Sequence, residues 1–292
     1  MSFPNSGTSF TMKMTQTVSQ RTTASNYGKE HPDDLGNTQV FADPKYAYGP
    51  YRANMKLPLP EGYILTKTHC GGRCTNCHPE RYVETEWSFK QECLLGTRMF
   101  GQYSKHPKEQ KHVYEEQFIQ KAIHLIRNPF DNIVSRFHLH WNHQNKWNNT
   151  QWLDAHPRNA LGFQRWCREA DGQYWDIEQQ MHYQNIPNLK DIPCHAEFFR
   201  YTLWHNRAFQ VAEQMDLPVL MVHYEDYDEH FDPTISNIAQ FLELEIVTDP
   251  PEYHRSNYDD YYSEDQRQYA LTMIQSLATK TTWTQLSNRY HY

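Results

Sequence analysis

The chain opens with Ser2-Phe3-Pro4-Asn5-Ser6-Gly7-Thr8-Ser9-Phe10, in which an apolar residue leads through a proline into a short Ser/Gly/Thr run. A helix-compatible segment, Phe10 to Val18, follows this stretch. Gly7 lets the backbone approach a phosphate closely, and the N–H groups of a helix N-terminus attract anions. The stretch therefore predicts a phosphate-binding loop between a strand and a helix. The alternative is a turn followed by an ordinary helix start that is capped by Ser or Thr.

The loop has two unusual features. It lacks the Gly-Lys pair of the nucleoside-triphosphate loop GxxxxGK[ST], so a triphosphate is not the expected ligand. Only Met1 to Phe3 precede it, whereas a phosphate loop normally follows a full buried strand. We therefore expect this end of the chain to be either truncated or poorly held by the fold. A missing anchor or signal sequence would be lost with it.

Length and composition indicate one large α/β domain, or one domain with an appended lobe, because 292 residues with 38% hydrophobic side chains can bury a sizeable core. We expect residues 1–292 to form a single domain. The formal net charge of −7 argues against a nucleic-acid partner, which requires a broad basic surface. No apolar run of about 20 residues is present, so the sequence predicts no membrane span in this chain. No signal peptide is visible either.

The six cysteines fit three chemical states. Cys70, Cys74 and Cys77, followed by His78, have a spacing compatible with a zinc knuckle. Disulfides would place the protein in an oxidising compartment, and free thiols are the third option. A glycosylation sequon at Asn148-Asn149-Thr150 favours a secretory lumen. The predicted location is the Golgi lumen or membrane if an N-terminal anchor is missing from this chain, and the cytoplasm otherwise.

Buried apolar runs alternate with helical segments along the chain. Three runs, at 62–67, 121–126 and 218–224, predict buried strands. Their alternation with helices predicts an α/β fold of three α/β/α layers with a central parallel sheet. Two stretches break the pattern: an irregular, Cys-rich excursion at about 70–110 and a polar, aromatic loop or lid at 141–158. The predicted helices lie at 130–138, 160–183, 195–215, 232–243 and 263–279.

Polar side chains follow each predicted strand, at the carboxyl edge where open α/β sheets bind ligands. With the N-terminal loop they form four motifs, which are Phe3-Pro4-Asn5-Ser6-Gly7-Thr8-Ser9, Lys67-Thr68-His69, Arg127-Asn128-Pro129-Phe130-Asp131 with Ser135, and His223-Tyr224-Glu225-Asp226. The motifs span nearly the whole chain. In this order and spacing they resemble the sulfotransferases that use 3′-phosphoadenosine-5′-phosphosulfate (PAPS).

The resemblance implies a P-loop-like phosphosulfate-binding loop and a role for each motif. Arg127 and Ser135 would hold the 3′-phosphate, and Tyr224 would lie against the adenine ring. His69 would be the general base that takes a proton from an acceptor hydroxyl or amine. Lys67 would neutralise the charge that builds up on the bridging oxygen and the sulfuryl group. The loop residues that would hold the 5′-phosphosulfate are Asn5, Ser6, Gly7, Thr8 and Ser9.

The implied reaction is sulfuryl transfer by in-line displacement, with PAPS as co-substrate and no metal required. The acceptor would be a glycan, a lipid or a small hydroxylated metabolite. The cytosolic small-phenol enzymes carry Lys at the position of Asn5 and a late Arg-Lys-Gly segment, and this chain has neither. The sequence is therefore closer to Golgi-type or unclassified members. A non-catalytic relative that binds the nucleotide and serves as an interaction module is the alternative, whereas a phosphate-loop kinase fits poorly.

Overall fold

The structure is a computed structural model. It describes the following parts of the chain: 1–21, 23–25, 40–42, 50–52, 65–71, 85–100, 108–113, 116–180, 185–254, 258 and 260–292.

The described parts consist mainly of helices, with short strands between them. The strands are β1 (Thr23–Ser25), β2 (Val40–Ala42), β3 (Pro50–Arg52), β4 (Leu65–Lys67), β5 (Leu95–Phe100), β6 (Lys108–Val113), β7 (Ala122–Ile126) and β8 (Val219–His223). The helices are α1 (Thr8–Ser19), α2 (Glu86–Cys93), α3 (Pro129–Lys146), α4 (Thr150–Ala155), α5 (Ala160–Gln180), α6 (His195–Gln214), α7 (Asp226–Glu229), α8 (Phe231–Phe241), α9 (Glu264–Leu277) and α10 (Lys280–Tyr290).

Two parallel strand pairs carry the residues that the sequence singled out. In one pair β1 lies beside β4, and in the other β7 lies beside β8, with Ile126 opposite His223. All five residues of β7 are buried, as expected for a parallel strand covered on both faces. The predicted combination of helices with parallel strands is therefore confirmed. The β2–β3 and β5–β6 pairs are antiparallel.

The first two residues connect the two parallel pairs. The Ser2 N–H donates to the Thr68 carbonyl just after β4 at 3.3 Å, and the Leu125 N–H donates to the Met1 carbonyl at 3.1 Å. The terminal ammonium donates to the Ile123 carbonyl at 2.7 Å, and Ser2 is fully buried. The expectation that this end is poorly held by the fold is therefore wrong.

Two hydrophobic clusters pack against β7, because successive side chains of a strand point to opposite faces. Ile123 and Leu125 belong to a cluster with residues of α1 and α8. Ile126 belongs to the larger cluster, which includes residues of α3, α5, α6 and α9. The loop that starts at Phe3 and the residues that follow β7 are thus anchored to one buried core.

The predicted loop or lid at 141–158 is wrong, because α3 continues to Lys146 and α4 covers Thr150–Ala155. The stretch from residue 130 to 156 contains no Gly or Pro, so its polar and aromatic residues do not interrupt a helix. The Asn149 side chain accepts a hydrogen bond from the Trp152 N–H and thereby caps α4. The excursion at 70–110 is also not irregular throughout, since it contains α2, β5 and part of β6.

Disulfides join Cys70 to Cys93 and Cys167 to Cys194. The zinc interpretation is corrected at Cys70, because its sulfur is bonded to Cys93. The other members of that candidate set, Cys74, Cys77 and His78, lie outside the described residues.

The described ranges contain no group of three or more His, Cys, Asp or Glu side chains that could hold a metal ion. None of the helices described there combines the length and the apolar character needed to cross a membrane.

Candidate active site

The N-terminal loop turns sharply and then begins a helix. Asn5 and Gly7 have positive φ angles of 67° and 90°, and α1 starts at Thr8. No side chain among the described residues caps this helix, and its first intrahelical bond runs from the Thr11 N–H to the Gly7 carbonyl. The N–H groups of an uncapped first turn remain available to an anion.

The loop is held in place from α3. The Asn5 amide group donates to the carbonyl and to the hydroxyl of Ser135, each at 3.3 Å. The Asn132 amide donates to the Pro4 carbonyl at 2.9 Å and to Ser6 Oγ at 3.0 Å. The Ser6 hydroxyl therefore acts as an acceptor here and keeps its own proton for another partner. Asn132 is fully buried.

Lys67 and His69 approach the loop from the end of β4. The Lys67 ammonium donates to Ser9 Oγ at 2.9 Å, and its side chain is buried. The His69 Nδ1 atom lies 2.9 Å from the Ser2 carbonyl oxygen, which can only accept a hydrogen bond. In the neutral ring the proton therefore sits on Nδ1, and Nε2 carries the lone pair. The Ser2 hydroxyl, in turn, contacts the Thr8 hydroxyl.

Arg127 reaches the loop from the end of β7. Its Nη1 donates to the Asn5 carbonyl at 2.9 Å, and its guanidinium lies 4.2 Å from the ring centroid of Tyr224 and 5.6 Å from that of Tyr258. The Nε atom is buried and has no hydrogen-bond partner within the described part of the chain. Burial raises the pKa of Tyr201, so its hydroxyl stays protonated and donates to the Arg127 carbonyl at 2.6 Å.

Tyr224, which follows β8, closes the loop from the other side. Its N–H donates to the Ile126 carbonyl at 2.7 Å, so β7 and β8 end at the same level. The ring lies against Gly7, where an added Cβ would clash with Cδ2 and lie 2.9 Å from Cε2. One face of Tyr224 is thus occupied by the protein's own Arg127, which the sequence did not reveal.

Glu225 fixes the two strand ends next to this tyrosine. Its carboxylate accepts hydrogen bonds from the Asn128 N–H at 3.0 Å and from the Tyr290 hydroxyl at 2.8 Å. Burial raises the pKa of Tyr290, which keeps that hydroxyl protonated as a donor. Glu225, which directly follows Tyr224, is therefore hydrogen-bonded to the residue that directly follows Arg127.

The structure brings candidate residues from three strand ends and from α3 into contact with the loop, and it adds several partners. The loop contacts Lys67 through Ser9, Arg127 and Ser135 through Asn5, and Tyr224 through Gly7. Sequence reasoning assigned no role to Ser2, Asn132, Glu225 or Tyr258. Glu225 stood in a motif and Ser2 in the opening stretch, whereas no sequence signal distinguished Asn132 or Tyr258.

We expect Gly7→Ala to weaken the site, because alanine at a positive φ costs about 1–3 kcal/mol and its methyl group would displace the Tyr224 ring. Thermal unfolding reports the change. Gly172→Ala is the matched control, since nothing lies within 4 Å of the added atom and Ala in a helix is about 1 kcal/mol better than Gly. Equal stability of the two variants would contradict the described loop geometry.

Comparison with protein families gives the class of the chain. A family model described as the sulfotransferase domain matches residues 112–287. The protein therefore belongs to the sulfotransferase-domain family. The matched range contains Arg127, Ser135 and Tyr224, and it begins after the loop and after His69. Neither the search of curated proteins nor the search of solved structures found a match.

Proposed function

We propose that the protein transfers the sulfuryl group of PAPS to a hydroxyl or amine acceptor, with His69 as general base. The observation that carries the proposal is the meeting of Lys67 with the N-terminal loop, 2.9 Å from Ser9 Oγ, beside His69. The Lys67 ammonium at the first turn of α1, whose N–H groups suit an anion, and the proposed base two residues further along the chain support this reading. A sulfotransferase requires these three elements at one point.

The described residues fit the nucleotide at both of its anionic ends. The uncapped first turn of α1, from Thr8 onward, suits the 5′-phosphosulfate, with the hydroxyls of Ser6 and Ser9 as further donors. Arg127 suits the 3′-phosphate because its buried Nε lacks a partner among the described residues, and a guanidinium binds phosphate strongly. Ser135 is linked to Arg127 by Asn5, which is hydrogen-bonded to both residues, and we assign Ser135 to the same phosphate.

The positive charge of the site comes from Lys67 and Arg127. Asn5 stands where cytosolic relatives carry a lysine, and its amide group is directed at Ser135. Lys67 is therefore the residue we assign to the charge that develops on the bridging oxygen. Tyr224 presents one ring face to Arg127, so any adenine contact uses the remaining surface of the ring.

In the proposed reaction PAPS supplies an activated sulfuryl group. His69 Nε2 accepts the proton of the acceptor hydroxyl while the acceptor oxygen forms a bond to sulfur. The bond between sulfur and the bridging phosphate oxygen breaks, and its electron pair leaves with the phosphate. The products are a sulfate ester and adenosine 3′,5′-bisphosphate (3′,5′-ADP). The Nδ1–H donation to Ser2 keeps the neutral imidazole in the tautomer that the base requires.

Two finer assignments accompany this proposal. The N-terminal loop is a P-loop-like element of a three-layer α/β/α domain, supported by the clusters on both faces of β7. The chain is of the Golgi type, supported by the disulfides, which are typical of an oxidising compartment.

The second candidate function is a non-catalytic nucleotide-binding module, which the uncharged Asn5 favours.

Titration calorimetry with 3′,5′-ADP in the presence of EDTA tests the proposed nucleotide site. We expect saturable binding of one nucleotide per chain, and binding at least about tenfold weaker for 5′-AMP, which lacks the 3′-phosphate. Absence of binding, or equal affinity for the two nucleotides, would contradict the proposal. Binding that requires Mg²⁺ would indicate a different class of phosphate chemistry.

A further inference from the structure

We propose that the Cys70–Cys93 disulfide is a positioning device for His69, which it holds in the geometry required for proton transfer. The inference rests on the proposed function of His69 as general base. Cys70 directly follows His69 in the chain, and its disulfide partner Cys93 is the last residue of α2.

The backbone at this point is held in an uncommon conformation. Cys70 has a φ of 46°, in the left-handed region that residues other than glycine seldom adopt. Its side chain is fully buried, and Cys93 at the end of α2 is nearly so. The bond to Cys93 supplies a covalent restraint that keeps the chain turned immediately after His69. Without the disulfide, we expect Cys70 to relax from its positive φ and the chain after β4 to shift.

Trp204 of α6 forms a second connection between α2 and His69. Trp204 Nε1 donates to the His69 carbonyl at 2.8 Å. The Trp204 ring packs edge-on against Phe89 of α2, with ring centroids 5.5 Å apart, and against Phe3 at 6.2 Å. Helix α2 therefore reaches His69 through two routes, the Phe89–Trp204 contact and the disulfide. A shift of α2 would move both supports of the histidine backbone.

The position of the backbone decides whether His69 keeps its hydrogen bond. The Nδ1–H donation to the Ser2 carbonyl spans 2.9 Å and selects the tautomer with the lone pair on Nε2. Because the adjacent Met1 is hydrogen-bonded to β7 through the Leu125 N–H and the Ile123 carbonyl, the Ser2 carbonyl stays anchored when His69 is displaced. Loss of the disulfide is thus expected to disturb the base itself and to leave Arg127 and the nucleotide site unchanged.

The second disulfide provides a matched control. Cys167–Cys194 joins α5 to the residue before α6, and its sequence separation of 27 is close to the 23 of Cys70–Cys93. Bonds that close loops of similar length restrict the unfolded chain to a similar degree. Removal of either bond should therefore lower stability comparably, whereas only one bond adjoins His69.

The experiment compares Cys70→Ala/Cys93→Ala with Cys167→Ala/Cys194→Ala, each assayed well below its own unfolding temperature. We expect kcat of the first variant to fall about 10–100-fold, since small displacements of a reacting group have effects of that size. The affinity of the first variant for 3′,5′-ADP should stay within about twofold of the wild type. For the control variant, both kcat and this affinity should stay within about twofold of the wild type. Peptide mapping under non-reducing conditions verifies the remaining bonds, and Cys93→Ala is used if the double variant does not fold.

Nuclear magnetic resonance of the histidine rings tests the same claim without catalysis. The slowly exchanging Nδ1–H signal of wild-type His69, assigned by its loss in His69→Gln, should disappear in the first variant and persist in the control. Unchanged kcat together with an unchanged His69 signal would overturn the positioning role. If the wild type transfers no sulfuryl group, the proposed function fails, and the ring signal alone still decides whether the disulfide positions His69.

Discussion

Replacement of His69 by alanine is expected to lower kcat for sulfuryl transfer about 10²–10⁴-fold, the contribution typical of a positioned general base. The affinity for 3′,5′-ADP should remain within about threefold of the wild type, because the proposed phosphate ligands are other residues. The physical reason for the loss of rate is the Nδ1–H donation to the Ser2 carbonyl, which makes Nε2 the basic nitrogen of the neutral ring. Initial rates at saturating donor and calorimetry with the product nucleotide measure the two quantities.

His156→Ala is the control for this variant. His156 is also buried, and its Nδ1 atom lies 2.9 Å from a backbone carbonyl, that of Trp152, but its contacts are with Trp152 of α4 and Glu169 of α5. Its replacement should cost stability and leave kcat within about threefold at temperatures where the variant is folded. If His69→Ala retains the full rate, the assignment of the base is wrong. If His156→Ala loses as much as His69→Ala, the effect is a general consequence of losing a buried histidine.

Replacement of Arg127 by alanine is expected to weaken 3′,5′-ADP binding about 10–100-fold, because a hydrogen bond to a charged group contributes about 1.5–3 kcal/mol. The loss should be confined to nucleotides with a 3′-phosphate, so the preference for 3′,5′-ADP over 5′-AMP should largely vanish. Arg127→Lys should restore little, since an ammonium cannot both donate to the Asn5 carbonyl and present a planar fork to a phosphate. Competition binding with the two nucleotides measures the preference.

Arg267→Ala is the control for Arg127→Ala, because it removes another arginine that lies over an aromatic ring. The Arg267 guanidinium also lies over aromatic rings, 5.0 Å from the centroid of Phe130 and 5.9 Å from that of Tyr262, and neither ring belongs to the loop. Its replacement should leave the nucleotide preference unchanged. An Arg127→Ala variant that still prefers 3′,5′-ADP by the wild-type factor would place the 3′-phosphate elsewhere.

Local chemistry made much of the fold predictable. The apolar run before Arg127 and the proline after it gave the end of β7 and the start of α3 correctly. The helices at 160–183 and 195–215 agree with α5 and α6 to within a few residues. The error at 141–158 came from treating a polar, aromatic composition as a loop, although the absence of Gly and Pro up to residue 156 favoured helix.

Partners from distant segments could not be predicted. The Ser2–His69 hydrogen bond joins residues 67 positions apart, and the Arg127–Tyr224 contact depends on the exact level at which β7 and β8 end. Six cysteines allow 15 complete pairings, so the choice of Cys93 as the partner of Cys70 required the fold. The sequence order of motifs indicated which residues meet, and the structure supplied the hydrogen bonds that orient them.

Transfer of labelled sulfuryl from PAPS is the most direct test of the central claim, that this site is catalytic. Wild type and His69→Ala are incubated with labelled donor and separate pools of glycans, lipids and small hydroxylated metabolites, and acceptor-bound label is counted. The account predicts label on at least one pool with the wild type and almost none with His69→Ala. A wild-type protein that binds 3′,5′-ADP but leaves all label on the donor in every pool would contradict the account and favour a non-catalytic nucleotide-binding module.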